Sequence, residues 1–111
     1  MTNLDVVDAY FAAIRAKDAD ALGRLFTDDA ALVTLAGTVI GPDAIAGFYR
    51  DLAFQTEDLW PEPGPPIDDG DRVAVEIRLR LNGKVSLVGD FFTLRNGLIA
   101  RLLICNGPPA G

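Results

Sequence analysis

The sequence has 111 residues, half of them apolar and 23% charged, a size and balance that suit one compact domain spanning 1–111 and exclude a disordered or fibrous chain. Ten Lys and Arg against sixteen Asp and Glu give a net charge of -6, which offers no positive field to nucleic acid or to an anionic membrane. With no histidine and one cysteine, the chain cannot build a Ser-His-Asp or Cys-His site, a zinc finger, a His-ligated metal or an internal disulfide; no metal or cofactor is expected. No stretch approaches the ~20 apolar residues of a bilayer span. The opening Met1-Thr2-Asn3-Leu4-Asp5 has no basic region before an apolar one, so no secretory signal is expected, and the default compartment is the cytoplasm.

In chain order, Leu4, Val7, Phe11 and Ile14 recur at helical steps, with Asn3 placed to cap, and predict an amphipathic helix over 4–16. Tyr10 falls on or beside its apolar stripe. Asp18 caps a short helix over 19–26, which Thr27-Asp28-Asp29 ends as a turn, and Ala30 to Leu35 and Thr38 to Ile40 read as two short strands. Pro42 and Asp43 start a third helix whose stripe is Ile45, Phe48, Tyr49 and Leu52. A strand is expected over 55–60 and a loop over 61–71, where four prolines remove ladder donors. Asn82-Gly83 and Asn96-Gly97 then join three strands, 72–81, 84–95 and 98–106, as an antiparallel meander, and 107–111 reads as a tail without structure of its own.

The first of these strands alternates, Val73, Val75, Ile77, Leu79 and Leu81 against Ala74, Glu76, Arg78 and Arg80; the next two are apolar on both faces. One face therefore meets helices or a pocket and the other is expected to meet a second subunit, as a homodimer. The expected architecture is an α+β cone, three N-terminal helices packed on a curved, mainly antiparallel sheet that encloses a pocket.

Lacking histidine, proton chemistry must run through carboxylates, tyrosine, lysine or water. Asp90 stands out, because alternation puts its carboxylate on the face of Val88, Phe92 and Leu94, where an ionised acid is costly and the pKa should rise. The alternatives are pairing with Arg78 or Arg80, or a bend at Gly89 that turns Asp90 to solvent. Tyr10 is the second candidate, against the ordinary case of a helix tyrosine with its ring in the core. Trp60 either lines a pocket or packs at a strand end. Asp28 and Asp29 suit a turn and Asp43 a helix start. Glu57, Asp58 and Glu76 read as solvated, and Cys105 as a small core residue.

The run from Tyr10-Phe11-Ala12-Ala13-Ile14 through Leu22, then Leu25-Phe26-Thr27-Asp28-Asp29-Ala30, resembles the opening of the NTF2-like superfamily, especially its ketosteroid isomerase-like and SnoaL-like members. Gly41-Pro42-Asp43-Ala44-Ile45, Phe48-Tyr49 and the closing Gly89-Asp90-Phe91-Phe92-Thr93-Leu94-Arg95-Asn96-Gly97 extend the likeness over nearly the whole chain. In Δ5-3-ketosteroid isomerase a first-helix tyrosine and a protonated strand aspartate hold the substrate oxygen as it becomes a dienolate, and the resemblance places Tyr10 and Asp90 at those positions. It also departs from the pattern, since the catalytic aspartate base of that enzyme is matched here by Thr34, which cannot take a proton at pH 7. The water-activating Arg and Asp set of limonene epoxide hydrolase-like members is not evident either.

The resemblance therefore implies an enzyme that stabilises an enolate or oxyanion of a hydrophobic carbonyl substrate, steroid-like or polycyclic, as an isomerase or as a cyclase or dehydratase variant. Tyr10, Asp90 and Thr34 would act on the substrate, and Leu32, Trp60, Val88, Phe92 and Ile14 would wall the cavity. Glu57 or Asp58 are the nearest acids that could move a proton in place of the missing base. The alternative is a non-catalytic module that binds a hydrophobic ligand.

Overall fold

The computed structural model describes residues 1–110. Helix α1 (Asn3–Ala16) starts one residue early, because Thr2 and not Asn3 is its cap: Asp5 N–H donates to Thr2 Oγ1 at 3.1 Å and Thr2 N–H to the Asp5 carboxylate at 2.9 Å, a reciprocal capping box. Its stripe of Val6, Val7, Tyr10, Phe11 and Ile14 is buried, and Lys17 ends it in the left-handed region. Helix α2 (Ala19–Gly23) is capped by Asp18 as expected but stops well before residue 26.

Strand β1 (Phe26–Thr34) takes over the residues read as a turn. Thr27-Asp28-Asp29 are extended because β1 runs parallel to the last strand from Phe26 opposite Ile99, with an irregularity before Ala31. Asp29 accepts from Thr27 Oγ1 and pairs with Arg95, so the acids there anchor strand to strand. Strand β2 (Gly37–Ile40) returns antiparallel, and Pro42 sits in the first turn of α3 (Pro42–Asp51), which buries Ile45, Ala46 and Tyr49. Leu52, placed on that stripe by spacing, falls past the helix end and is exposed.

The expected strand over 55–60 is absent up to Leu59; a 3₁₀ turn (Ala53–Gln55) and a turn at 57–58 occupy it. The strand lies instead in the proline-rich segment, as β3 (Trp60–Pro63), followed by the two-residue β4 (Ile67–Asp68), both paired with the strand β5 (Arg72–Leu81). Proline is tolerated because β3 is the sheet's edge and leaves its outer ladder unpaired. The meander follows the expected bounds in β5 (Arg72–Leu81) and β6 (Lys84–Arg95), with Asn82, Gly83, Asn96 and Gly97 all at positive φ in the two turns.

Strand β7 (Leu98–Pro109) overruns its expected end: Pro109 lies opposite Ser86 and Ala110 N–H donates to Val85 O at 2.9 Å. The expected tail is thus part of the sheet, apart from Gly111, which lies outside the described residues. The sheet order is β2-β1-β7-β6-β5-β3, antiparallel except for β1 beside β7, and it does not close. Leu22, Leu32, Ile45, Phe92, Ile99 and Leu102 are fully buried where the helices meet its concave face. Among the described residues no helix is long and apolar enough to cross a membrane.

Candidate active site

Cross-strand register assembles the site. On the concave face Val75, Asp90 and Ile104 form one row across β5, β6 and β7. Thr34 continues it on β1, since its neighbour Val33 is opposite Leu103. The row below holds Val73, Phe92, Leu102 and Leu32, and the row above holds Ile77, Val88 and Asn106. Phe92, Leu102 and Leu32 are sealed into the core, while the upper two rows, Val75 excepted, open into a cavity of about 260 Å³ roofed by α1 and α3.

Asp90 is 3% exposed, and its Oδ1 has no hydrogen-bond partner among the described residues. Burial alone raises its carboxyl to about 7. The pairings with Arg78 or Arg80 do not form, because β5 alternation turns both arginines to the exposed face, and Gly89 does not bend Asp90 outward. Asp90 is the only carboxylate among the described residues of the cavity wall.

Tyr10 reaches the cavity from α1, and its hydroxyl lies 2.5 Å from that of Tyr49 on α3. Burial raises both phenols above their ordinary value; for Tyr10 the neighbouring Tyr49 and Asp90 add to the rise, and for Tyr49 the hydrogen bond shared with Tyr10 opposes it. Both therefore stay protonated at neutral pH. Two hydroxyls that share one hydrogen bond have one proton left over, and it is available to a ligand oxygen. The Tyr10 ring is held edge-on by Phe11 and Phe92, with centroids 5.1 and 5.2 Å away.

Of the other expected residues, Ile14, Val88 and Thr34 line the cavity. Thr34 Oγ1 accepts from Ala36 N–H at 3.1 Å at the end of β1. Leu32 and Phe92 do not line it; they form the packed floor beneath, with Phe92 bracing Tyr10. Trp60 also stands outside, because alternation along β3 points Pro61 inward and Trp60 outward, 43% exposed, with the Arg15 guanidinium 5.2 Å over its ring. Asp58 is occupied: its carboxylate accepts from Asn82 N–H at 2.9 Å and Gly83 N–H at 2.7 Å, and these bonds, the one to Gly83 foremost, hold its pKa low. Glu57 is exposed and outside the cavity wall. Neither acid is placed to stand in for a base.

Tyr49 and Asn106 have no site role in the sequence reading. Tyr49 reads as one more core residue of its helix, and nothing local links it to a residue 39 positions away. Asn106 is within reach of alternation from Leu102 and Ile104, since the expected strand 98–106 already includes it as its last residue. Among the described residues no cluster of three or more His, Cys, Asp or Glu could hold a metal ion.

Helices on the concave face of an open, curved sheet, with a cavity and a buried carboxyl between them, define the NTF2-like class of α+β cones. Within that class the chain belongs to the SnoaL-like domain family, whose model matches residues 7–102. A Sinorhizobium meliloti protein named for a proposed polyketide cyclase activity is 28% identical, over 95% of this chain and 100% of that one, with a TM-score of 0.80. A Kribbella flavida protein named as a candidate ketosteroid isomerase is 17% identical, over 98% and 83%, with a TM-score of 0.83. A Catenulispora acidiphila protein with a ketosteroid isomerase-like fold, crystallised with trimethylamine, is 22% identical, over 90% and 83%, with a TM-score of 0.80. No curated protein matches the sequence. The names of these similar proteins span more than one chemistry, so function is argued from the site.

Proposed function

We propose that the chain is an enzyme that stabilises the enolate or oxyanion of a hydrophobic carbonyl substrate, in the manner of ketosteroid isomerases, as an isomerase or as a cyclase or dehydratase variant. The observation that carries this reading is the buried Asp90 carboxyl, unpartnered at Oδ1, beside a hydrogen-bonded tyrosine pair in an otherwise apolar cavity. A substrate oxygen accepts the spare proton of the Tyr10–Tyr49 pair and the proton of Asp90. As electrons move onto that oxygen in the transition state, both bonds strengthen between the apolar walls of the cavity. Asp90 does this in its protonated form, which its raised pKa favours up to about 7.

With Thr34 where the related isomerases carry a base, and Asp58 engaged in a turn, the carbon-bound proton leaves to water or to a group on the substrate. That suits a dehydration or cyclisation, which asks less of a fixed base than a steroid isomerisation does. A second reading, a hydrophobic-ligand module without turnover, is favoured by the lack of a second carboxylate on the cavity wall. It leaves unexplained a buried acid that a mere binder would gain by losing.

The test is a titration with 2-naphthol, a fluorescent phenol, from pH 5 to pH 8.5, with turnover assays on cyclic ketones. The phenol is expected to bind below about pH 7 and to weaken as Asp90 ionises, whereas Asp90→Asn binds without that pH dependence. Turnover is expected to fall about a hundredfold in Tyr10→Phe and in Asp90→Asn. Turnover indifferent to both substitutions would overturn the site; binding that follows Asp90 with no turnover on any ketone would establish the module instead.

A further inference from the structure

The cavity has a second polar end. Apart from Tyr10, Tyr49 and Asp90, its wall is apolar except for Thr34 and Asn106. Asn106 lies opposite Val88, two residues along β7 from Ile104, which is opposite Asp90. That diagonal separates Asn106 from Asp90 by about 7–8 Å between backbones. Thr34 lies two strands from Asp90 with Ile104 between them, about 9–10 Å away at ordinary strand spacing. Thr34 and Asn106 are themselves diagonal across β1 and β7, about 7–8 Å between backbones, so a ligand atom lying between them is within reach of both side chains, with Ile104 and Val88 as apolar floor on the way to Asp90.

Both residues of the second pole can donate. The Thr34 oxygen already accepts from Ala36 N–H, which leaves its own proton to point elsewhere. Asn106 carries amide protons at the exposed end of the cavity. Its position is held by the strand beyond it: β7 shifts register between Val88 and Ser86, and Gly107 runs so close to β6 that a Cβ there would meet Leu87 O at 2.7 Å. Size bears on the occupant as well, since about 260 Å³ lies under the roughly 300–1,000 Å³ usual for ligand sites and suits one or two rings better than four.

We infer that this cavity selects a compact substrate of one or two rings with an acceptor oxygen at each end, one held by Tyr10 and Asp90 and the other by Asn106 and Thr34. The inference rests on the oxyanion reading of the first pole and adds the substrate class. Asn106 and Thr34 are then specificity residues: an analogue without the second oxygen leaves their donors unmatched and binds less well. Because Asn106 is open to water, the discrimination is modest, about fivefold.

Three phenols test this by fluorescence titration at pH 6: 2-naphthol, 6-acetyl-2-naphthol, and 6-isopropyl-2-naphthol, which replaces the second oxygen with a methyl group. The parent chain is expected to prefer the acetyl over the isopropyl compound about fivefold, and Asn106→Leu with Thr34→Val to bring the ratio to about one. A four-ring phenolic steroid is expected to bind more weakly than the acetyl compound. If 2-naphthol binds but the parent ratio is near one, or the ratio survives the double substitution, the second pole is overturned and the oxyanion reading stands. Tighter steroid binding overturns the compact substrate. If none of the phenols binds, the oxyanion reading falls and the second pole with it. Because the acetyl group also makes the naphthol more acidic, the change of ratio between parent and variant is what decides, and Asn106→Leu alone, at an exposed position, supplies it if the double variant fails to fold.

Discussion

Burial lifts the Asp90 carboxyl from about 3.9 in an unfolded chain to about 7 in the fold. Between those values the native state keeps a proton that the unfolded chain has released, so stability falls as pH rises from about 4 to about 7 and levels off above. The cost of ionising Asp90 in place is on the order of 4 kcal/mol. Asp90→Asn should therefore be more stable than the parent at pH 8 and no different at pH 4, as measured by urea midpoints. Asp29 and Asp58, held low by hydrogen bonds from Thr27 and Gly83 respectively, titrate in the opposite sense but equally in both proteins. A parent as stable as the variant at pH 8 would mean that the folded state relieves the charge. Alternation along one strand was enough to put Asp90 inside, because side chains on a strand have a period of two whatever the strand pairs with. Tyr49 was not legible, because its place in the site depends on how α3 packs over α1.

At the level of elements, legibility followed the range of the forces involved. The meander bounds were readable because Asn-Gly turns need positive φ at their central residues, a local property, and both turns adopt it. β3 was not, because a proline's cost in a strand depends on whether its missing donor faces a neighbour, and only the sheet order makes Trp60–Pro63 an edge. The same holds for Thr27-Asp28-Asp29, extended by the parallel partner β7, and for Pro108 and Pro109, drawn into β7 by β6. The tail's attachment has one weak point. Gly107→Ala should push β7 off Leu87 O, cost about 1–3 kcal/mol of stability and displace Asn106. Thermal melting and the acetyl-to-isopropyl ratio report the two effects separately, and a variant that melts with the parent would show that the strand ends before Gly107.

Over the whole molecule the convex side of the sheet carries an apolar patch on β4, β6 and β7, flanked by the exposed Glu76, Arg78 and Arg80 of β5, without a covering helix. Phe91 at the middle of β6 is 46% exposed and Ile67 on β4 is 75% exposed, and Leu87 and Leu103 on the same side are half-buried. We propose that a second copy covers this face, which would give twice the 11.9 kDa chain mass in solution. Light scattering should show the doubled mass, and Phe91→Glu should halve it while leaving phenol binding intact, since the cavity lies on the opposite side of the sheet. A parent of single mass at tens of micromolar would refute the pairing.

Local chemistry by itself determines much about this protein: the α+β class, the two Asn-Gly hairpins, the inward carboxyl of Asp90, and the cap at Asp18. Each depends on residue type and a short repeat, and so survives ignorance of the partners. Contacts between residues far apart in sequence decided the rest: the tyrosine pair, the proline edge strand, the exclusion of Trp60 from the cavity, the engagement of Asp58 by the 82–83 turn, and the second polar end at Asn106. Those depend on which strands neighbour one another and in what register, and register is a property of the whole sheet.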